Sequence, residues 1–230
     1  MSLAVAILAG GLATRLGDLT RKVPKSLLPV AGEPFIRHQL RLLRRNGVDK
    51  VVVCAGHLGE QIEAEVGDGG PFGLAVRYSH DGPEPLGTGG ALRRALPLLG
   101  GRFMVLYGDS FLDIDYQAVA RAFLASGCGA MMTVYRNEGR YGAGNAVYAD
   151  GRVLLYEKKR RDPEMLWIDY GLGCLEAAVL GAWPEERFDL AELYAALSRS
   201  GRLAGYEVLD RFYEIGSPQG LAELNEMFAG

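Results

Sequence analysis

Residues 4–30 read AVAILAGGLATRLGDLTRKVPKSLLPV, and the fold turns on this stretch. Ala4–Ala9 is an apolar run of strand length with no polar alternation, the pattern of a parallel strand buried on both faces. It stops at Gly10-Gly11, where a polar and basic segment begins. Two glycines at that point allow a positive φ and let the backbone pass close to a ligand. In an open α/β sheet the carboxyl end of the first strand is where ligands bind. Arg15 and Lys25 supply positive charge, and Pro24 and Pro29 restrict the loop that carries Lys25. Together they read as a cradle for a polyanion such as a triphosphate. The stretch is not a Walker loop, because no G-x-x-x-x-G-K-[ST] occurs, and G-x-G-x-x-G is absent after Ala9.

The rest of the chain sets bounds on that reading. A length of 230 residues suits one α/β domain with a large core and leaves little room for a second. Hydrophobic content of 49% and charged content of 23% are those of an ordinary globular protein, so disorder is not expected. A net charge of −3 gives no case for nucleic acid, and the inferred anion site is therefore local. Cys54, Cys128 and Cys174 are scattered and in no metal-binding spacing, which points to a reducing, cytoplasmic setting. Leu3–Leu12 lacks the basic lead of a signal peptide, and no run approaches the roughly 18 apolar residues of a membrane span.

Outward from the first strand, the periodicity predicts a helix over 34–46, a strand at 50–54, a helix over 60–66 and a strand at 74–78. This β-α-β-α-β order implies a Rossmann-like open sheet. Glu84–Leu92 (EPLGTGGAL) opens a further helix, whose free N–H groups suit phosphate oxygens or a base edge, with Thr88 as the expected cap. Arg102–Tyr107 is a fourth buried strand ending in Gly108-Asp109. A carboxylate at that tip, facing the cradle, is where a Mg²⁺ ligand is needed, since Mg²⁺ takes one or two carboxylates plus substrate phosphates. Asp115 reads as the cap of a helix over 116–125. After a fifth strand at 130–135 the alternation loosens into short strand-like pieces at 141–148, 152–158 and 166–175. The expectation is a three-layer α/β domain with a mostly parallel central sheet and a small antiparallel excursion.

L-A-G-G-x-x-T-R-L at Leu8–Leu16, followed by P-K-S-L-L-P-V at Pro24–Val30, resembles the signature of the sugar-phosphate nucleotidyltransferases. The resemblance extends over residues 3–225 and is nearest in motif to the guanylyltransferases for mannose or heptose 1-phosphate. It implies one domain, with residues 1–128 as a nucleotide-binding half and 129–230 as a sugar-binding half. The nucleotide side would comprise Leu8, Ala9, Gly10, Gly11, Thr14, Arg15, Lys25, Gly87, Thr88 and Gly108. Tyr141-Gly142, Asn145, Glu157-Lys158 and Asp169 resemble sugar-side positions, with Glu157 on sugar hydroxyls and Lys158 on the 1-phosphate. Phe212–Leu221 (FYEIGSPQGL) resembles a segment whose acidic residue is a second metal ligand, here Glu214 instead of Asp.

The implied reaction transfers a nucleotidyl group from an NTP, GTP favoured, to a sugar 1-phosphate, with Mg²⁺ as cofactor. Arg15, Lys25 and Asp109 would be the catalytic residues. The nucleophile is already anionic, so no general base is needed, and none is evident. The resemblance places the product in nucleotide-sugar supply for surface polysaccharide. Other bases (dTTP, UTP, CTP), a non-sugar phosphate acceptor, or a non-catalytic sugar-nucleotide sensor are the alternatives. NTP and sugar 1-phosphate are the expected partners, nucleic acid and membrane are not, and homo-oligomerisation is left open.

Overall fold

A computed structural model describes residues 2–11, 22–159 and 162–229. Thr14 and Arg15, two of the expected phosphate contacts, lie outside the described residues. The first half contains β1 (Ala4–Leu8), β2 (Pro29–Val30), β3 (Glu33–Pro34), α1 (Phe35–Arg45), β4 (Lys50–Ala55), α2 (Gly59–Val66), β5 (Ala75–His80), α3 (Gly87–Leu99), β6 (Arg102–Tyr107), β7 (Ser110–Phe111) and α4 (Tyr116–Ser126). The second half contains β8 (Ala130–Arg136), β9 (Ala146–Ala149), β10 (Arg152–Tyr156), β11 (Trp167–Glu176), α5 (Ala177–Gly181), α6 (Leu190–Arg199), β12 (Ala204–Val208), β13 (Tyr213–Glu214) and α7 (Pro218–Ala229).

Nine strands form one sheet in the order β5-β4-β1-β6-β11-β8-β12-β10-β9. The first four are parallel, as the β-α-β-α-β reading requires, with Val5 opposite Val51 and Met104. Two faces are covered by helices. Val5 and Ile7 pack with Ile36, Leu40 and Phe123 of α1 and α4, while Ala4 and Ala6 point to the opposite face with Leu92, Leu193 and Leu197 of α3 and α6. Period-two alternation thus explains why β1 carries large residues on one face and alanines on the other.

The second half departs from a mostly parallel sheet. β11 is a ten-residue strand that enters the middle of the sheet, antiparallel to both β6 and β8, instead of forming part of a peripheral excursion. β12 pairs parallel with β8, and β10 and β9 follow antiparallel, so the sheet is mixed. The sequence pattern at 166–175 marks this strand but carries no signal for its place between β6 and β8. A Cβ at Gly173 would stand 2.3 Å from the Tyr194 hydroxyl on α6, so the glycine marks close packing, not a turn.

The expected cap at Asp115 is formed: its side chain accepts from the Ala118 N–H at 2.9 Å. That bond, more than the nearby Arg121, holds its carboxyl below the ordinary carboxylate range. A depressed carboxyl stabilises the fold above that range and loses its contribution as the pH falls through it. Asp115→Ala should therefore lower stability by about 1 kcal/mol at neutral pH. In urea unfolding the difference from the natural chain should shrink as the medium is acidified.

Candidate active site

The carboxyl ends of β4, β1 and β6 meet at their backbones. A Cβ at Gly56 would lie 2.7 Å from the Gly10 carbonyl oxygen, and one at Gly108 would lie 2.7 Å from the Leu8 carbonyl oxygen. Neither Gly10 nor Gly11 has a positive φ, contrary to the sequence expectation. A Cβ at Gly10 would sit tightly, 3.1 Å from the Gly56 nitrogen, while one at Gly11 would meet open space. Ala9 N–H donates to the Cys54 carbonyl and Gly108 N–H to that of Leu8, which closes the three strand ends into one floor.

Above this floor lies a cavity of about 350 Å³ lined by Leu8, Ala9, Gly10, Gly11, Lys25, Gly87, Thr88 and Gly108. Those are the described members of the expected nucleotide set. Lys25, on a short 3-10 turn, donates from Nζ to Asp109 Oδ2 at 2.8 Å, so cation and carboxylate form one pair at the cavity wall. Gln39 braces the turn beneath, donating from Nε2 to the carbonyls of Tyr107 at 3.1 Å and Ser110 at 2.7 Å. Ser26 Oγ also belongs to this wall, buried and without a hydrogen-bond partner among the described residues.

The glycine-rich start of α3 differs from its sequence reading. Gly89 and Gly90 N–H groups both donate to the Phe188 carbonyl, at 2.9 and 3.3 Å, and so are not free for a ligand. A Cβ on Gly89 would fall 2.1 Å from the Phe188 ring. Thr88 does not cap α3 either. Its Oγ1 accepts from Leu190 N–H at 2.8 Å, closing the start of α6 alongside Asp189. Tertiary packing of the 186–190 segment thus explains both the glycines and the threonine, while Gly87 and Thr88 still face the cavity.

A second cavity, of about 620 Å³, is lined by Gly142, Asn145, Lys158, Asp169 and Glu214, together with Arg140, Tyr141 and Arg211. It shares Tyr107 and Asp109 with the first. Asp169 is half-buried, holding Gly171 N–H at 3.1 Å and Tyr156 Oη–H at 3.2 Å. Desolvation pushes its carboxyl above the usual range, against the opposing pull of Lys158. Asn145 Oδ1 accepts from Asp169 N–H at 2.8 Å, which ties the two expected sugar-side residues together.

Glu157 is not brought to this wall. At the bend that follows β10 its carboxylate turns back to accept from Lys159 N–H at 3.2 Å, while Lys158 lines the cavity. Glu214 does reach the cavity, through the β13–β7 pairing and the Ile215 N–H to Asp109 carbonyl bond. Its two oxygens accept from Ser217 Oγ and Gly216 N–H at the start of α7, where Ser217 in turn caps Gly220 N–H at 3.0 Å.

Sequence reasoning passed over Asp81, one residue beyond β5. It is buried in the wall of the first cavity, and burial raises its carboxyl above the usual range even though Leu86 N–H bonds to it. The strand-end rule that found Asp109 would have found it. Among the described residues no group of three or more His, Cys, Asp or Glu could hold a metal by itself. Asp109 and Glu214 both line the second cavity.

A parallel strand-end floor with an adjoining polar cavity defines an α/β protein with its candidate site at the carboxyl ends of the strands. The chain belongs to the nucleotidyl transferase family, whose model matches residues 4–225. It is 45% identical over 116 residues to N-acetylmuramate alpha-1-phosphate uridylyltransferase of Neisseria meningitidis, which is 49% of each chain. It is 28% identical over 214 residues to D-glycero-alpha-D-manno-heptose 1-phosphate guanylyltransferase of Campylobacter jejuni, covering 93% of this chain and 94% of the relative. HddC from Yersinia pseudotuberculosis, solved in complex with GMP-PN, superposes with a TM-score of 0.84 at 25% identity over 99% of this chain and 100% of that one. The chain spans about half the length of some of the curated relatives it matches. No helix among the described residues is long and apolar enough to cross a membrane.

Asp169 yields a prediction with a sign. A carboxyl raised in the folded state makes stability fall as the pH rises above the ordinary carboxylate range. In thermal unfolding across that range Asp169→Asn should flatten the fall, because the amide keeps an acceptor for Gly171 N–H but carries no charge. An unchanged slope would mean that Asp169 is not desolvated as described.

Proposed function

We propose that this chain transfers a nucleotidyl group from an NTP, GTP in preference, to a sugar 1-phosphate, releasing pyrophosphate. The observation that carries the reading is the sharing of Tyr107 and Asp109 by two cavities, one floored by strand-end glycines and one lined by Lys158, Asn145 and Asp169. Two anionic substrates held there would meet at Asp109. An oxygen of the sugar phosphate bonds to the α-phosphorus as the bond from that phosphorus to the bridging oxygen of the leaving pyrophosphate breaks.

The work assigned to the protein is the positioning of two anions that repel each other. Lys25 and Arg15 would hold the triphosphate, with Gly10 and Gly108 admitting its close approach, and Lys158 would hold the sugar phosphate. Gly142, Asn145 and Asp169 would orient the sugar. Asp109, with Glu214 as second ligand, would hold Mg²⁺, which when bound neutralises charge on the phosphates.

The preference for GTP rests on Asp81. Its carboxylate is an acceptor-only group in the nucleotide cavity. Guanine presents adjacent N1–H and N2–H donors that match two carboxylate oxygens. Uracil presents one N–H between two carbonyls, so a second carboxylate oxygen would face a like partial charge. A UTP reading is favoured instead by the Neisseria relative, a uridylyltransferase by name, whose 45% identity is the highest among these relatives.

The test is pyrophosphate release across GTP, UTP, CTP, ATP and dTTP against mannose, glucose, N-acetylglucosamine and heptose 1-phosphates, with and without Mg²⁺. One Mg²⁺-dependent combination containing GTP is the expected result; a strong UTP signal would replace the base assignment. A blank grid with nucleotide still bound in calorimetry would favour a sensor or an untried acceptor. Lys25→Ala and Asp109→Ala should each lower kcat by about 10²-fold or more, as for loss of an electrostatic stabiliser. Asp81→Asn should lower kcat/KM for GTP by roughly 10-fold or more, since the amide places a donor against a donor. Retained GTP preference in that variant would remove Asp81 from base recognition.

A further inference from the structure

Lys158 stands on a bend just after β10, exposed, at the end of a flexible four-carbon stem. A side chain so free is poorly placed to receive a phosphate, because its rotamers must be ordered when the ligand binds. Among the described residues its ammonium makes no hydrogen bond and no ion pair. Nζ instead lies over the ring of Tyr107, 5.4 Å from the centroid, within the reach of a cation–π contact.

Tyr107 is set up to present a ring face at that place. It is the last residue of β6, fixed by its pairing with Leu8 of β1, and its carbonyl is held by Gln39. It lines both cavities. Its hydroxyl is enclosed and has no hydrogen-bond partner among the described residues, so the polar end gives nothing to a ligand. Desolvation, with Asp169 nearby, holds the phenol far above its ordinary pKa, which keeps the ring neutral.

We infer that Tyr107 is a positioning residue: its ring face holds the Lys158 ammonium at the junction of the two cavities, ready for the sugar phosphate. The inference rests on the role given to Lys158 above. It differs from a packing role because a packing ring works by shape, whereas this one works by the negative potential of its face.

The two can be separated with side chains of one shape. Phenylalanine at 107 serves as the reference, compared with ring-fluorinated phenylalanines of progressively weaker face potential. KM for the sugar 1-phosphate, measured with the best donor–acceptor pair of the grid, should rise with fluorination by roughly two- to thirty-fold in all. KM for the NTP should move little, and the series should be flat when Lys158 is replaced by Ala. In spectra of ¹³C-labelled lysine, the Lys158 Hε resonances should be shifted upfield by the ring, an effect lost in Tyr107→Leu. A flat series in an otherwise active enzyme, or a rise that persists without Lys158, overturns the role of Tyr107 alone. Unshifted Lys158 resonances overturn the contact itself. A blank grid overturns the proposed reaction and this role with it.

Discussion

The Lys25–Asp109 pair, 84 residues apart in sequence and 2.8 Å apart in space, is the interaction on which the site depends. Both groups are largely withdrawn from water, with 17% and 26% of their side chains exposed. A charge so placed is costly alone, and each is tolerated because the other is present. The pair joins the loop after β1 to the tip of β6, and the Asp109 carbonyl receives Ile215 N–H from the segment that carries Glu214. Three distant parts of the chain are therefore registered on one residue, Lys25 through its carboxylate and Ile215 through its carbonyl. A cation and a hard oxygen donor are thus held together at the wall of the first cavity.

Insertion of β11 next to β6 explains why two cavities share a wall. Leu172 lies opposite Leu106, so Asp169 of β11 comes near the end of β6 that carries Tyr107 and Asp109. A parallel half alone would end in a strand-end floor with solvent beside it. The antiparallel strand brings Asp169 and its partner Asn145 to the same edge, with a register shift between Asp169 and Gly173.

Local signals in the sequence were dependable where the competing forces are local. The β6 boundaries match the apolar run at Arg102–Tyr107, and β1 and α1 fall within a residue or so of their patterns. Asp115 and Ser217 cap the helices they precede. The readings that failed involve partners far along the chain. Thr88 looked like the cap of its own helix and instead caps one that starts 102 residues later. The N–H groups at the start of α3 looked free for a ligand, but those of Gly89 and Gly90 bond to the Phe188 carbonyl. Of the adjacent Glu157 and Lys158 only Lys158 lines the cavity, and at the bend after β10 the Glu157 carboxylate turns back onto Lys159 N–H.

By itself, then, the sequence determined the parallel half, the strand-end glycines, the basic and acidic residues of the site and the family resemblance. These follow from periodicity, chain stiffness and residue chemistry over a few neighbouring positions. Only the tertiary structure decided that β11 enters the sheet, that Asp81 faces the first cavity and that Tyr107 lies under Lys158. Each of these is a contact between segments whose sequence separation carries no local signal, selected by burial and close packing of the whole chain.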